Sequence, residues 1–449
     1  MFDKTSKKVF IRTLALAAPI IGQELLNSAV NFVDILMIGT AGDQALSAVG
    51  TGNEILFLFL LTSYGIVSGS AIFIGQFWGK GDVKSIHKTM GLAFTFSMVA
   101  AVLFFIMSQF FTGTIIRFYI DDNGVVEIGK SYLKIVSYTF FLNAFILTVN
   151  SAHRCTGHTA VPMVTSIIAL LSNITFNYLY IFVWHQGAAG AAKATLIARV
   201  IEVVAQIIIM KKFKLPALGK LKNYFVKDGL FLKDYIKMVW PVLLNEVVWS
   251  MGVTLYKESY GELGSEAFSA IVSTAPIQQV FTVLGISIGS AAGILIANSL
   301  GAGEIGRAIE YSKKSTILAV FMSVIMGILL FISAPFLLIF YDGLSDLTIS
   351  YAVKIIYIMS FGIILKTYNF TAIVGILRNG GDTVFCLVID MVSVWCVGVP
   401  LAYLGAHILH LPIYYVFLLA YCEEVFKLIP CILRVKKGKW SKNLVEKYN

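Results

Sequence analysis

The chain has 449 residues, of which 58% are apolar and only 13% charged, and its mean hydropathy is +0.82. So few charges cannot cover that much apolar surface in water, which excludes a soluble globular protein and points to a polytopic membrane protein. The net charge of +10 would suit a nucleic-acid partner, but the placement of the basic residues gives it another meaning.

A helix that crosses a bilayer needs roughly 20 mainly apolar residues. Twelve such stretches are expected. They centre near Leu25, Leu61, Val99, Phe140, Leu170 and Val200 in the first half, and near Val247, Ser287, Met322, Met359, Val392 and Leu418 in the second. The N-terminus MFDKTSKKVFIRT is basic, and the apolar stretch after it is long enough to span and lacks a small-residue cleavage site, so the first span is expected to stay in the protein. No connection is long or polar enough for a soluble domain. The expected organisation is a six-helix lobe at 1–212, a basic cytoplasmic connection at 213–234, a second six-helix lobe at 235–435 and a cytoplasmic tail at 436–449. Cys155, Cys386, Cys396, Cys422 and Cys431 have neither disulfide-like pairing nor metal-ligand spacing and are read as small apolar fillers.

Numbering the connections alternately separates the charges. The N-terminus, the tail and the connections on their side hold 26 Lys and Arg, eight of them between Lys211 and Lys237. The opposite side holds Arg117, Lys130 and Lys257. Positive residues collect on the cytoplasmic side, so both termini are expected there, and nucleic acid is not an expected partner.

The halves repeat. APIIGQELLNS (18–28) returns as WPVLLNEVVWS (240–250), aligning Pro19 with Pro241 and Glu24 with Glu246 at an offset of 222. GQFWGKGD (75–82) returns as ANSLGAGE (297–304) at the same offset, and RCTGHT (154–159) returns as RNGGDT (378–383) at 224. Six spans per half is an even number, so the halves share one orientation. Their pseudo-two-fold axis then runs along the membrane normal, with a cavity expected between two six-helix bundles.

These landmarks, with VDILMIGTAGDQALSAVG after the first proline and GAAGAAKAT entering span six, resemble the multidrug and toxic compound extrusion (MATE) transporters over essentially the whole chain. The resemblance implies an all-α bundle of twelve transmembrane helices in two lobes. It also implies export of organic, often cationic, compounds by alternating access, driven by inward H⁺ or Na⁺. A monomeric, multi-pass protein of a bacterial inner membrane is expected, with lipid and a small organic cation as its partners. No cofactor is expected beyond the coupling ion.

Polar residues inside the spans are the candidate sites. Glu24, Asn27, Ser28, Asn31 and Asp34 fall on one stripe of span one. An Asp at bilayer depth costs roughly 2.5–3.5 kcal/mol, so the stripe faces protein or a wet cavity. Asp34 matches an acidic position of the family, which implies a coupling-ion site; a satisfied polar core contact is the alternative. Asn173 and Asn177 lie four apart on one face of span five, and Thr195 opens span six. In the family, groups at these motif positions join the span-one Asp. Many relatives carry Asp where this chain has Asn177, which leaves one carboxylate among neutral oxygens. Helix–helix hydrogen bonding is an equal reading of the Asn pair.

Glu24, Asn31, Glu246 and Asp390 are candidates for a substrate cavity, with a structural Glu246 equally open. Tyr256 stands where span one has Asp34. Arg199 is expected to pair with Glu202, and Arg154 and Arg378 to lock cytoplasmic loops. Glu423, Glu424 and Lys427 are expected to snorkel at the end of span twelve. The runs GIVSGSAIFIG (65–75) and GISIGSAAG (285–293) read as small-residue faces for close helix contact. No catalytic or metal-binding pattern is present: there is no HExxH, CxxC or G-x-S-x-G, and His153 and His158 are poorly spaced to share a metal. Two other functions stay open. One is a flippase for a lipid-linked precursor, which a mainly acidic bundle disfavours. The other is a receptor or scaffold, which would need neither repeat nor buried carboxylates. H⁺ is favoured as the coupling ion because one titratable group alternating between buried and wet states suffices. Na⁺ would want several oxygens.

Overall fold

The computed structural model describes residues 4–40, 42–119, 122–337 and 344–448; the side chains of residues 4–6, 31–32, 119 and 337 are outside that description. The described residues are almost entirely helical and contain no strand. In hydrocarbon, backbone N–H and C=O groups have no water to turn to, and a helix satisfies them within its own segment.

In chain order the helices are α1 (Lys4–Gly39), α2 (Asp43–Lys80), α3 (Val83–Phe110), α4 (Thr112–Tyr119), α5 (Asn123–Val136), α6 (Thr139–Cys155), α7 (Ala160–Asn177) and α8 (Gly187–Phe213). The second half holds α9 (Gly229–Gly261), α10 (Ser265–Gly301), α11 (Ile305–Leu337), α12 (Asp346–Phe370), α13 (Thr383–Ser393), α14 (Val399–Tyr403) and α15 (Ile413–Lys436). Among the described residues nine helices are long and apolar enough to cross a membrane, and α5 with α6, bent by 46°, makes a tenth. The two other long helices, α8 and α15, carry Lys193, Arg199 and Glu202, and Glu423, Glu424 and Lys427 respectively. Together these account for the twelve expected spans. π-helical turns extend α7 over Tyr178–Val183 and α12 over Thr371–Arg378, and they also flank α14.

Local sequence sets the ends. The Asp82 side chain accepts the Ser85 N–H and opens α3, while Gly81 closes α2 at φ 82°. Asp122 caps α5 and Ser345 caps α12 in the same way.

The chain forms two compact units. One comprises residues 22–243 and the other residues 1–21 with 244–449. The division falls inside α1 and inside α9, so each of these helices serves both units. The unit of residues 22–243 has a core around Phe59, Leu133, Val136 and Phe140, with Phe59 and Phe140 ring centroids 4.7 Å apart. Phe231 of α9 packs against Phe73 and Phe77 of α2, and Ser70 and Tyr235 share a 2.7 Å hydrogen bond. The connection after α8 is docked rather than loose. His87 bonds the Pro216 carbonyl at 2.9 Å, and Tyr224 donates to the Ala217 carbonyl while accepting the Gly219 N–H.

The other unit has a core around Ala352, Ile355, Ile356 and Val416. The small-residue face of α10 lets α12 approach closely: a side chain on Gly375 would meet the Gly289 carbonyl at 2.6 Å. Here the C-terminal tail folds back. Trp440 is fully buried against Gly380, and Arg434 grips Asp382 through two hydrogen bonds of 2.6 and 3.0 Å.

Candidate functional site: buried polar clusters in the two units

The first cluster lies in the unit of residues 22–243. Asn177 ends α7 where the helix widens into its π turn, a backbone irregularity frequent at functional sites. Its Nδ2 donates to Asp34 Oδ1 at 2.6 Å and to Asn173 Oδ1 at 3.1 Å. Asn173 Nδ2 in turn reaches Thr195 Oγ1 at 3.5 Å. The four residues expected to act together are thus brought together. Asn173 and Asn177 are buried, and Asn177 Oδ1 has no hydrogen-bond partner. Arg199, one turn beyond Thr195, is close enough to act on Asp34 electrostatically and pairs with Glu202 at 2.6 Å, as expected. A lone carboxylate set among two amides and a hydroxyl, with a guanidinium nearby, can take up and release a proton. The same groups can equally offer oxygens to a small cation.

Glu24 sits ten residues earlier on α1. Arg154, at the end of α6, donates to Gln23 Oε1 at 2.6 Å and to Glu24 Oε1 at 2.9 Å. Asn31 lies outside the residues whose side chains are described.

The second cluster lies in the unit that contains 244–449. Arg378 pairs with Glu246 at 2.9 Å, and Asn245 Nδ2 donates to Asp390 Oδ2 at 3.0 Å. Lys427 Nζ lies 3.3 Å from Asp390 and 3.6 Å from Glu423. Tyr256 donates to Glu423 at 2.8 Å, and Asn369 donates to the side chain of Glu424 at 2.8 Å. The charges of Glu246 and Asp390 act on each other, so these groups form one network. Glu423, Glu424 and Lys427 do not snorkel: all three are buried. Their expected route to water is closed because α15 turns them toward α9, α12 and α13. The network was missed in the sequence because EExxK near a helix end reads as a solvated motif. The signal available was Tyr256, a phenol with its own partner to find, at the position that aligns with Asp34.

A buried ion pair recovers its desolvation cost only with good geometry and further hydrogen bonds, and losing one partner costs about 3–5 kcal/mol. Four carboxylates, Glu246, Asp390, Glu423 and Glu424, share two cations, Arg378 and Lys427. That balance is acidic.

Twelve helical spans with polar clusters buried among them define a multi-pass membrane protein. The MatE family model matches the chain twice, over residues 19–179 and 241–404, with starts 222 residues apart, the same offset as the repeat. The chain belongs to the MatE family. It is 26% identical over 417 residues to the uncharacterized transporter YisQ of Bacillus subtilis (strain 168), covering 90% of this chain and 89% of that one. It is 22% identical to the probable multidrug resistance protein NorM of Thermotoga maritima, covering 96% and 93%. Among solved structures, an outward-facing multidrug resistance MATE family transporter superimposes with a TM-score of 0.87 at 16% identity, over 95% of this chain and 96% of that one. A MOP superfamily transporter from Pyrococcus furiosus, described as having a binding pocket of reverse polarity, gives 0.86 at 16% identity over the same shares.

Proposed function

We propose that the protein is an antiporter that exports small organic cations in exchange for H⁺, with Asp34 carrying the proton. The supporting observation is the 2.6 Å hydrogen bond between Asp34 and Asn177, in a cluster whose one carboxylate is Asp34 and whose direct partners are neutral. A single carboxylate on a membrane-spanning helix, held by amides rather than by a salt bridge, can gain and lose a proton without breaking an ion pair. Asn177 presents its Nδ2 to Asp34, so the Asn177 atom nearest the carboxylate is a donor and not an oxygen that could share a metal cation with it. The likeness to probable multidrug resistance proteins supports export as the direction.

Cationic substrates are supported by the acidic balance of the second network, whose four carboxylates outnumber its two cations and whose field disfavours anionic cargo such as a lipid-linked pyrophosphate. Alternating access moves the exchange: Asp34 loses its proton on the cytoplasmic side and regains one outside. Each pH unit supplies about 1.4 kcal/mol per proton, and for a monovalent cation exchanged against one proton only this term drives export. The test is efflux from proteoliposomes with pH and Na⁺ gradients imposed separately. Efflux driven by the pH gradient is expected; efflux driven by Na⁺ alone overturns the proton assignment.

A further inference from the structure

Arg154 lies about three helical turns from Asp34, yet the geometry ties the two. α1 and α7 meet at Gln23 Nε2 to Ser166 Oγ, 3.3 Å, and again at Asp34 and Asn177, 2.6 Å. Gln23 and Asp34 are eleven residues apart on α1; Ser166 and Asn177 are eleven residues apart on α7. Eleven residues are close to three turns and about 16 Å of rise, so both contacts fall on one face of each helix, in register. The lower contact is a clasp. Arg154 donates to Gln23 and Glu24 together, and beside it a side chain on Gly22 would meet Met163 Sδ at 2.8 Å.

The clasp stands where α1 changes company. Residues up to Ile21 belong to one unit and residues from Gly22 to the other. Upstream, Arg12 donates to Tyr311 at 3.0 Å and Thr13 bonds Ser315 at 3.1 Å. The first polar pair after the change, Gln23–Glu24, is the one that Arg154 holds. The second half repeats the device. α9 changes units between Leu243 and Leu244, the first polar pair after it is Asn245–Glu246, and Arg378, at the end of the π-helical extension of α12, holds Glu246. There the amide, Asn245, reaches Asp390. In both halves an amide–carboxylate pair follows the change and an arginine at the end of a helix fixes its carboxylate.

The two differ in burial. The Arg378 and Glu246 side chains are 3% and 13% exposed, those of Arg154 and Glu24 23% and 37%. A half-exposed pair is weak and screened by salt, so it can set a register without locking it.

We propose that Arg154 is a positioning residue for the coupling carboxylate: through Gln23 and Glu24 it holds the register of α1 on α7, and thereby the Asp34–Asn177 contact. This rests on the reading of Asp34 as the coupling group, and the two arms of the test separate the ideas. The first arm needs no transport. In the Asp34→Cys/Asn177→Cys chain the upper contact is gone and the clasp is the polar tie left at Gln23 and Glu24. Oxidative formation of the 34–177 disulfide in membranes, followed by mass spectrometry, is expected to slow at least about fivefold on adding Arg154→Gln and to stay within twofold on adding Arg154→Lys. An unchanged rate with Arg154→Gln overturns the inference whatever Asp34 does.

The second arm uses otherwise unaltered protein. Arg154→Gln is expected to shift the H⁺ concentration for half-maximal efflux at least about fivefold, with substrate KM within twofold. If Arg154→Gln does not fold, the exchange Glu24→Arg/Arg154→Glu restores the pair and is expected to restore the ion dependence. Normal ion dependence in folded Arg154→Gln, or an exchange that folds without restoring it, overturns the inference. Failure of the Asp34 reading itself shows separately, as intact coupling in Asp34→Asn.

Discussion

Asn177 donates a 2.6 Å hydrogen bond to Asp34, joining α7 to α1 across 143 residues of sequence. The same amide reaches back one turn to Asn173. Replacing Asn177 with Asp sets a second carboxylate against the first. Like charges at this range disfavour joint ionisation, so a shared cation is favoured. Asn177→Asp is expected to move gradient-driven efflux toward Na⁺ dependence, read in proteoliposomes by comparing the two gradients. An ion preference identical to that of the native chain removes Asn177 from the coupling site.

Lys427 is the shared cation of Asp390, Glu423 and Glu424, the last two of them buried. Lys427→Met leaves Asp390, Glu423 and Glu424 without it, at an expected cost of about 3–5 kcal/mol. The melting temperature in detergent reads this. Adding Glu423→Gln removes one of the stranded charges and is expected to recover part of the loss, a coupling that a double-mutant cycle measures. Additive losses would mean that Lys427 and Glu423 act independently.

Glu246 meets Arg378 rather than open space. Glu246→Gln therefore strands a buried guanidinium, and the expected outcome is lost stability together with equal loss of transport for every substrate. Selective loss for cationic substrates, with an unchanged melting temperature, would assign Glu246 to the substrate path instead.

The scaffold was legible because its signals are local and periodic. Span lengths, the 222-residue offset and the i, i+4 spacing of Asn173 and Asn177 follow from helix geometry and bilayer thickness alone. The first cluster could be assembled on paper because Asp34 breaks an apolar run and because the motifs around it resemble a known family. The contacts of the helix-end arginines were harder: Arg154 meets Glu24 from 130 residues away, and nothing in RCTGHT names its partner. The network around Lys427 was illegible for another reason. Charges near a helix end are cheap in water and costly when covered, and only tertiary structure reveals the cover that α9, α12 and α13 provide.

The basic connection and the tail test topology. Cysteines introduced at Lys220 or Lys227 are expected to react in intact cells with membrane-permeant reagents and not with impermeant ones, following the 26-to-3 charge asymmetry. Ready labelling by an impermeant reagent reverses the orientation.

The tail is folded, and Trp440 anchors it. Trp440→Ala empties a fully buried site at an expected cost of about 3–5 kcal/mol and should expose the segment beyond Lys436 to protease. Unchanged proteolysis would place the anchor elsewhere, for instance in the Arg434–Asp382 pair.

Asp34→Asn is the most direct measurement of coupling. The neutral amide is cheaper to bury than a carboxylate, so the protein is expected to fold and insert. Reconstituted into proteoliposomes beside the native chain, it should still bind substrate and yet show no efflux in response to a pH gradient. Efflux at the native rate, driven by that gradient through folded Asp34→Asn, would contradict the assignment of Asp34 as the group that carries the coupling ion.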